Sequence, residues 1–216
     1  MPIELVIFDC DGVLVDSEPA SNRAMAETIA ELGWDISYDE TTMRFKGRSD
    51  RDCLPIIERR VGEIPDDFLE RYRERMFAMF RKDLEAVDGV AEVLEGLSQQ
   101  VCVASSGDHE KLRMTLGHTR LLSRFEGRIF SAVDVERGKP EPDLFLHAAK
   151  KMGFAPARCA VVEDSPLGVR AARAAGMRPL GFAGTTTADA EALRDAGARV
   201  FTQMHELPAL LVAETT

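Results

Sequence analysis

Two aspartates separated by a single residue, Asp9 and Asp11, directly follow the apolar run Leu5–Phe8. In an open parallel sheet, ligands bind beyond the carboxyl ends of the strands, so both carboxylates would face such a site. One aspartate in a turn after a strand is common, but two repel each other unless a cation lies between them. Gly12 allows the chain to turn sharply beside them. The pair therefore indicates a cation site at the end of a strand.

A second acidic pair, Glu163 and Asp164, follows the apolar run 159–162 in the same way. If the two strands are neighbours, as many as four carboxylates converge. Such hard oxygen ligands are typical of a divalent cation, and Mg²⁺ is the usual one where a phosphate completes its coordination. Alternatively, Asp164 or Ser165 only caps the next helix, but capping leaves Glu163 unexplained.

Two further features suit an anionic ligand. Ser105, Ser106 and Gly107 follow the apolar run 101–104, where the hydroxyl of Ser105 and nearby backbone N–H groups could hold phosphate oxygens. Lys139 lies in a Gly-Lys-Pro-Glu-Pro segment, whose prolines restrict the backbone and could aim a long cation at one place. A Ser-Ser-Gly turn or a lysine in a loop is ordinary by itself. Both gain meaning from the acidic pairs.

The elements that must position these residues are short, continuous apolar runs, which are typical of strands buried on both faces of a parallel sheet. They alternate with helix-like segments, which predicts an α/β fold with a doubly wound, Rossmann-like parallel sheet as its core. One helix is well delimited, since Ser165 can cap it, Pro166 suits its first turn and Gly176 can end it. The predicted strands are residues 5–8, 101–104, 159–162, 179–182 and 199–201.

Residues 17–84 interrupt this alternation, because they contain several amphipathic helical stretches and no continuous β-like run. One stretch places a set of apolar residues on a single helical face: Phe68, Leu69, Tyr72, Met76, Met79 and Phe80. We interpret this stripe as packing rather than as a cofactor site. The segment is predicted to be an inserted all-helical cap, with residues 1–16 and 85–216 forming the core.

Composition excludes several classes of protein. With 216 residues, 45% of them hydrophobic, the chain can bury one core or a core and a small satellite domain, which excludes a disordered or fibrous protein. A net charge of −10 disfavours nucleic-acid binding, although a local basic pocket is compatible with it. No apolar run approaches the roughly 20 residues of a membrane span, and no secretion signal is visible. We expect a cytoplasmic monomer without a membrane partner.

The four cysteines, Cys10, Cys53, Cys102 and Cys159, are far apart in the sequence and form no C-x-x-C pair. This spacing indicates neither a disulfide framework nor a zinc knuckle. Three of them interrupt apolar runs, so we predict that these three are buried thiols.

Taken in chain order, the motifs resemble the haloacid dehalogenase superfamily over nearly the whole chain. They are Asp-x-Asp-Gly-Val-Leu-x-Asp-Ser at 9–17, Ser105, Lys-Pro-x-Pro-Asp at 139–143, and Glu-Asp-Ser at 163–165. Within that superfamily the chain is similar to the branch of β-phosphoglucomutase and small sugar-phosphate phosphatases, whose helical cap follows the first motif, as residues 17–84 do here.

The resemblance implies a mechanism and a role for each motif. Asp9 would be the nucleophile and Asp11 the general acid and base, while Ser105 and Lys139 would bind the transferring phosphoryl group. The implied ligands of Mg²⁺ are Asp9, Asp11, Glu163 and Asp164. The implied activity is Mg²⁺-dependent hydrolysis of a small phosphorylated metabolite, a sugar or sugar-acid phosphate, through an aspartyl-phosphate intermediate.

Contacts to the rest of the substrate are less well defined. Arg48 and Arg51 follow Lys46 and Gly47 and are the first candidates from the cap. Arg71 and Arg75 are weaker candidates on the helix that carries the apolar stripe. For all these arginines, ordinary surface charge is an equally good interpretation.

Other functions fit the sequence less well. A dehalogenase of this superfamily would lack Asp11, a phosphoryl-accepting receiver domain is much shorter and has no cap, and a noncatalytic interaction protein would not need every chemical group. The main alternative is a β-phosphoglucomutase. Those mutases carry a histidine where this chain has Ser21, and their distal-phosphate arginine falls at Asp50. None of the four histidines of this chain lies within 17–84.

Overall fold

Six parallel strands form one sheet in the computed structural model, which describes residues 2–45 and 48–212. The strands are β1 Leu5–Phe8, β2 Gln100–Ser105, β3 Ile129–Ser131, β4 Cys159–Glu163, β5 Arg178–Phe182 and β6 Arg199–Phe201. Their order across the sheet is β3-β2-β1-β4-β5-β6, so the chain starts in the middle and winds outward in both directions. The predicted doubly wound α/β fold is confirmed.

Ten α-helices accompany this sheet in the described part of the chain. They are α1 Glu18–Ala30, α2 Tyr38–Phe45, α3 Asp50–Val61, α4 Phe68–Asp83, α5 Val90–Gly96, α6 His109–His118, α7 Asp143–Met152, α8 Pro166–Ala174, α9 Ala190–Ala196 and α10 Leu207–Leu211. Along β1, Leu5 and Ile7 pack into the apolar cluster on one face of the sheet, and Val6 and Phe8 into the cluster on the other. Because both faces are covered, every residue of the strand is apolar.

The five predicted strands are all present, and no strand end differs from the prediction by more than one residue. The prediction missed β3. This strand has only three residues and lies at the edge of the sheet, where it pairs with β2 alone. So short a segment carries too little hydrophobic periodicity to be recognised.

Helix α8 has the predicted delimiters. The hydroxyl of Ser165 accepts a hydrogen bond from the backbone N–H of Gly168 at 3.1 Å, and Pro166 is the first helical residue. Gly176 follows the end of the helix with φ of 73°. These local signals were sufficient because capping and turn geometry depend on neighbouring residues only.

Between β1 and α5, the described residues form the four helices α1 to α4 and no strand. On α4, the apolar stripe packs towards α1: Phe68, Tyr72, Met76 and Phe80 are buried, and Leu69 and Met79 are half-buried. Lys46 and Gly47 lie outside the described residues.

The two connections of this helical segment run side by side. The backbone N–H of Asp16 donates to the carbonyl of Glu85 at 3.0 Å, and that of Val87 donates to the carbonyl of Leu14 at 3.0 Å. One apolar cluster extends from the sheet into the helices, including Phe8 as well as residues of α1, α3 and α4. The division into core and cap at these connections stays a prediction.

Cys10, Cys53, Cys102 and Cys159 are all buried and free, which confirms the buried thiols predicted for three of them. Across residues 2–45 and 48–212, no helix combines the length and apolar character that a membrane span requires.

Candidate active site

The ends of three adjacent strands bring the motifs together. Strand β1 lies between β2 and β4, with Phe8 opposite Val103 on one side and Val162 on the other. Asp9 follows Phe8, and Ser105 and Glu163 are the last residues of β2 and β4. The strand order therefore places the two acidic strand ends next to each other, as predicted.

Lys139 connects the two acidic pairs. Its Nζ donates to Asp9 Oδ1 at 2.7 Å and to Glu163 Oε1 at 2.6 Å, and its side chain is only 2% exposed. Burial alone would lower the pKa of Lys139, but Asp9 and Glu163 raise it above its usual value. The lysine thus stays charged and is held in the site rather than solvated in its loop.

Both oxygens of Glu163 are used in this arrangement. Oε1 accepts from Lys139, and Oε2 accepts from the backbone N–H of Ser165 at 2.8 Å and from its hydroxyl at 2.9 Å. The carboxylate packs against Gly168, where an added Cβ would lie 1.8 Å from Oε1. Glu163 therefore joins the lysine to the start of α8, and this explains the acidic residue that capping alone left unexplained.

Asp9, Glu163 and Asp164 form a buried carboxylate cluster, with one oxygen of each within 4.8 Å of the others. Gly12 makes room for Asp164, because an added Cβ would lie 2.3 Å from its Oδ2, and the φ of 74° also favours glycine. Burial raises the pKa of Asp9 to about 7, and Lys139 opposes this shift. Three converging carboxylates are a donor set that suits a hard divalent cation such as Mg²⁺.

Asp11 is arranged differently, and among the described residues it does not belong to that cluster. Its Oδ1 accepts from the hydroxyl of Ser17, and its Oδ2 accepts from Nζ of Lys111 at 2.9 Å. Burial would raise the pKa of Asp11, but Lys111 and Ser17 together outweigh burial and lower it. The structure therefore separates the two aspartates by the partners of their side chains.

The loop after β2 lies beside Asp9 and Lys139. Ser105 is buried, and its Oγ accepts from the N–H of Gly107 at 3.3 Å. The hydroxyl of Ser131 donates to the carbonyl of Gly107 at 2.7 Å and so fixes the turn. Ser105, Ser106 and Gly107 all line the cavity that contains Asp9 and Lys139.

The helical segment covers this cavity from the other side. Its contribution includes Ser21, Asn22, Arg48, Asp50, Cys53 and Tyr72. Tyr72 of the apolar stripe is buried in α4, as a packing residue should be, and it also lines the cavity. Arg48 lines the cavity as expected of a candidate contact.

The other candidate arginines lie elsewhere. Arg51 lines a different cavity, together with Glu70 and Val133. Arg71 and Arg75 both contact Glu31, which directly follows α1, so they tie α4 to the end of α1 rather than facing the site. The placement of Arg71 and Arg75 therefore agrees with their interpretation as ordinary surface charges.

Sequence reasoning missed Lys111 and Asp50. Lys111 lies in the first turn of α6, which begins directly after the Ser-Ser-Gly turn. A lysine about one helical turn after the predicted phosphate-binding turn could have indicated this residue. Asp50 starts α3, and its burial raises its pKa; nothing near it in the sequence indicated that it would approach Lys111.

Comparison with known proteins decides the family. The family model of haloacid dehalogenase-like hydrolases matches residues 3–176. This chain belongs to that family. The resemblance inferred from the motifs is confirmed, and so is the expected enzyme class, a phosphoric monoester hydrolase of the haloacid dehalogenase type.

Individual members of the haloacid dehalogenase family match most of the chain. A 6-phosphogluconate phosphatase of Escherichia coli K12 is 35% identical over 182 residues, which cover 83% of this chain and 82% of the relative. A phosphorylated carbohydrates phosphatase of Thermotoga maritima is 30% identical over 95% of this chain and 96% of its own. A family hydrolase of Deinococcus radiodurans R1, solved with bound phosphate and sodium, is 33% identical with a TM-score of 0.78, covering 97% of this chain and 95% of that one.

Proposed function

We propose that the protein is a Mg²⁺-dependent phosphatase that hydrolyses a small phosphorylated metabolite, a sugar or sugar-acid phosphate, through an aspartyl phosphate on Asp9. The observation that carries this proposal is the buried ammonium of Lys139, which bridges Asp9 and Glu163 beside the carboxylate of Asp164. The relatives named for 6-phosphogluconate and for phosphorylated carbohydrates support this substrate class.

The phosphoryl group binds between the loop after β2 and Lys139. A phosphate carries negative charge on its nonbridging oxygens, which repels an approaching carboxylate unless cations and N–H donors compensate. Lys139 supplies the fixed positive charge, and Ser105 and Ser106 supply hydroxyl and backbone donors at the same strand ends. These groups hold the phosphorus near Asp9.

Asp9, Asp164 and Glu163 would hold Mg²⁺, because their carboxylates converge and their oxygen donors suit this ion. When bound, Mg²⁺ neutralises charge on the phosphoryl oxygens. Lys139 uses one oxygen of Asp9 and one of Glu163, and the second oxygen of Glu163 accepts from Ser165. Asp11, predicted as a further ligand, is directed to Ser17 and Lys111, and we assign it to proton transfer instead.

The reaction proceeds in two balanced steps. A carboxylate oxygen of Asp9 attacks phosphorus, and the P–O bond to the leaving group breaks. Asp11 enters this step protonated, although Lys111 and Ser17 lower its pKa. Its proton moves to the leaving oxygen, which departs as an alcohol. Water then attacks the aspartyl phosphate, its proton moves to Asp11, and the P–O bond to Asp9 breaks. Inorganic phosphate leaves, and both aspartates return to their starting states.

A release assay for inorganic phosphate tests this proposal. The purified protein is incubated with a panel of sugar phosphates, sugar-acid phosphates and nucleotides, with Mg²⁺ or with a chelator. We expect phosphate release from sugar or sugar-acid phosphates that requires Mg²⁺. No release from any substrate, or release that is unaffected by the chelator, would contradict the proposal.

A further inference from the structure

Lys111 is a buried cation that the proposed reaction does not use. Its side chain is 12% exposed and lines the cavity, and its Nζ donates to Asp11 Oδ2 at 2.9 Å. Burying an ammonium group is costly unless it is paired, so this position is favourable only with a fixed carboxylate partner. That partner is the group to which we assign proton transfer.

The path of the lysine side chain is defined by its surroundings. Its Cδ passes Gly107, where an added Cβ would lie 3.3 Å away, and its backbone N–H donates to Asp108 Oδ1 at 2.9 Å. Asp50 from the helical segment acts electrostatically on its ammonium, and Tyr72 lines the same cavity. Lys111 thus extends from α6 towards Asp11, between the loop after β2 and the helical segment.

We propose that Lys111 is a positioning residue that holds the carboxyl group of Asp11 for proton transfer to the leaving group. This inference rests on the proposed function. Lysine ammonium has three donors and no acceptor, so Oδ2 of Asp11 must remain an acceptor while the contact lasts. The hydroxyl of Ser17 donates to the other oxygen, Oδ1. The two contacts together fix the orientation of the Asp11 carboxyl group in the cavity.

This role has a consequence that depends on the leaving group. A sugar alkoxide is a strong base and must receive a proton as the P–O bond breaks, whereas 4-nitrophenolate leaves without one. If Asp11 is no longer positioned, release of the sugar slows, whereas release of 4-nitrophenolate does not. Loss of phosphate binding or of the cation would slow both.

The test compares phosphoenzyme formation in a single turnover. Lys111→Met removes the ammonium, Lys111→Arg keeps a donor-only cation, and Lys150→Met removes an exposed lysine of α7 as the matched control. Alcohol release is followed by rapid quench with 4-nitrophenyl phosphate and with the sugar phosphate that the wild type hydrolyses best. Circular dichroism and thermal unfolding verify that each variant is folded.

General acid catalysis contributes about 10²–10⁴-fold, so Lys111→Met should slow release of the sugar about 10²-fold or more and release of 4-nitrophenol less than about threefold. Lys111→Arg should restore most of the sugar rate, and Lys150→Met should match the wild type. Equal losses with both substrates, or no loss with the sugar phosphate, would overturn the role of Lys111.

A second readout does not depend on activity. The ¹³C resonance of the Asp11 carboxyl carbon, assigned by its disappearance in Asp11→Asn, should shift in Lys111→Met and not in Lys150→Met. An unchanged resonance in Lys111→Met would mean that the two side chains do not pair, and it would overturn the inference even in an active enzyme. A wild type that releases no phosphate from any ester overturns the proposed function instead.

Discussion

At the scale of single residues, the site depends on how each carboxylate is partnered. Asp9 faces Lys139 and the other acids of the cluster, whereas Asp11 faces Ser17 and Lys111. Two aspartates only two positions apart therefore have different electrostatic surroundings. This difference supports a division of labour in which one attacks phosphorus and the other moves protons.

Asp9→Asn tests the covalent step. An amide is nearly the same size as a carboxylate and can still accept a hydrogen bond from Lys139, but it is a poor nucleophile. We expect phosphate release to fall to background, with a thermal unfolding midpoint close to that of the wild type. Normal turnover by this variant would exclude attack by Asp9.

Asp164→Ala tests the assigned cation site. Loss of one carboxylate from the cluster should raise the Mg²⁺ concentration for half-maximal activity by about tenfold or more, since weaker outer contacts already cost 10–100-fold. Asp88→Ala, at an exposed aspartate, is the control. An unchanged Mg²⁺ requirement in Asp164→Ala would remove Asp164 from the ligand set.

At the scale of elements, one arginine joins the helical segment to the core beside the site. Arg73 of α4 contacts Asp108, and its Nη1 lies 2.6 Å from Glu110 Oε2. Asp108 also caps α6 through the backbone N–H of Lys111. This contact links the position of α4 to α6, the helix that follows the loop after β2.

Arg73→Met should weaken closure of the helical segment over the substrate. These groups are partly exposed, and such ion pairs contribute about 1 kcal/mol or less, so kcat/KM should fall no more than about fivefold. The wild type should lose a similar factor on addition of salt, because salt screens the pair. Arg71→Met is the control, since Arg71 pairs with Glu31 and Asp67 inside the helical segment. An equal loss in both variants would contradict a specific link to the core.

At the scale of the whole molecule, we expect the helical segment 17–84 to decide between hydrolysis and transfer to a second sugar hydroxyl. A mutase must protect its aspartyl phosphate from water and couple proton transfer to a bound sugar. At the position of the mutase histidine this chain has Ser21, whose buried hydroxyl lines the cavity and has no hydrogen-bond partner among the described residues. Asp50 occupies the position of the distal-phosphate arginine.

We therefore expect net phosphate release and little conversion of β-glucose 1-phosphate to glucose 6-phosphate. Both products are measured in the same reaction, one by phosphate detection and the other by a coupled dehydrogenase. Ser21→His shows whether a histidine at this position shifts the ratio towards transfer. Efficient conversion with negligible phosphate release by the wild type would contradict the assignment as a phosphatase.

Local sequence determined much of this protein. The strands were recognisable because burial on both faces requires continuous apolar residues, and the delimiters of α8 because caps depend on adjacent residues. The acidic pairs were predicted to converge because parallel strands end at one edge of the sheet. The division into cap and core was also inferred from sequence and stays a prediction.

Tertiary structure alone decided which side chains meet. Lys139 and Asp9 are 130 residues apart, and Lys111 and Asp11 are 100 apart, so no local pattern could pair them. Arg48 lines this cavity and Arg51 lines a different one, although only two residues separate them. The physical reason is that a side chain's partner depends on how distant helices and strands pack, whereas strand and helix formation depends mainly on neighbours in the chain.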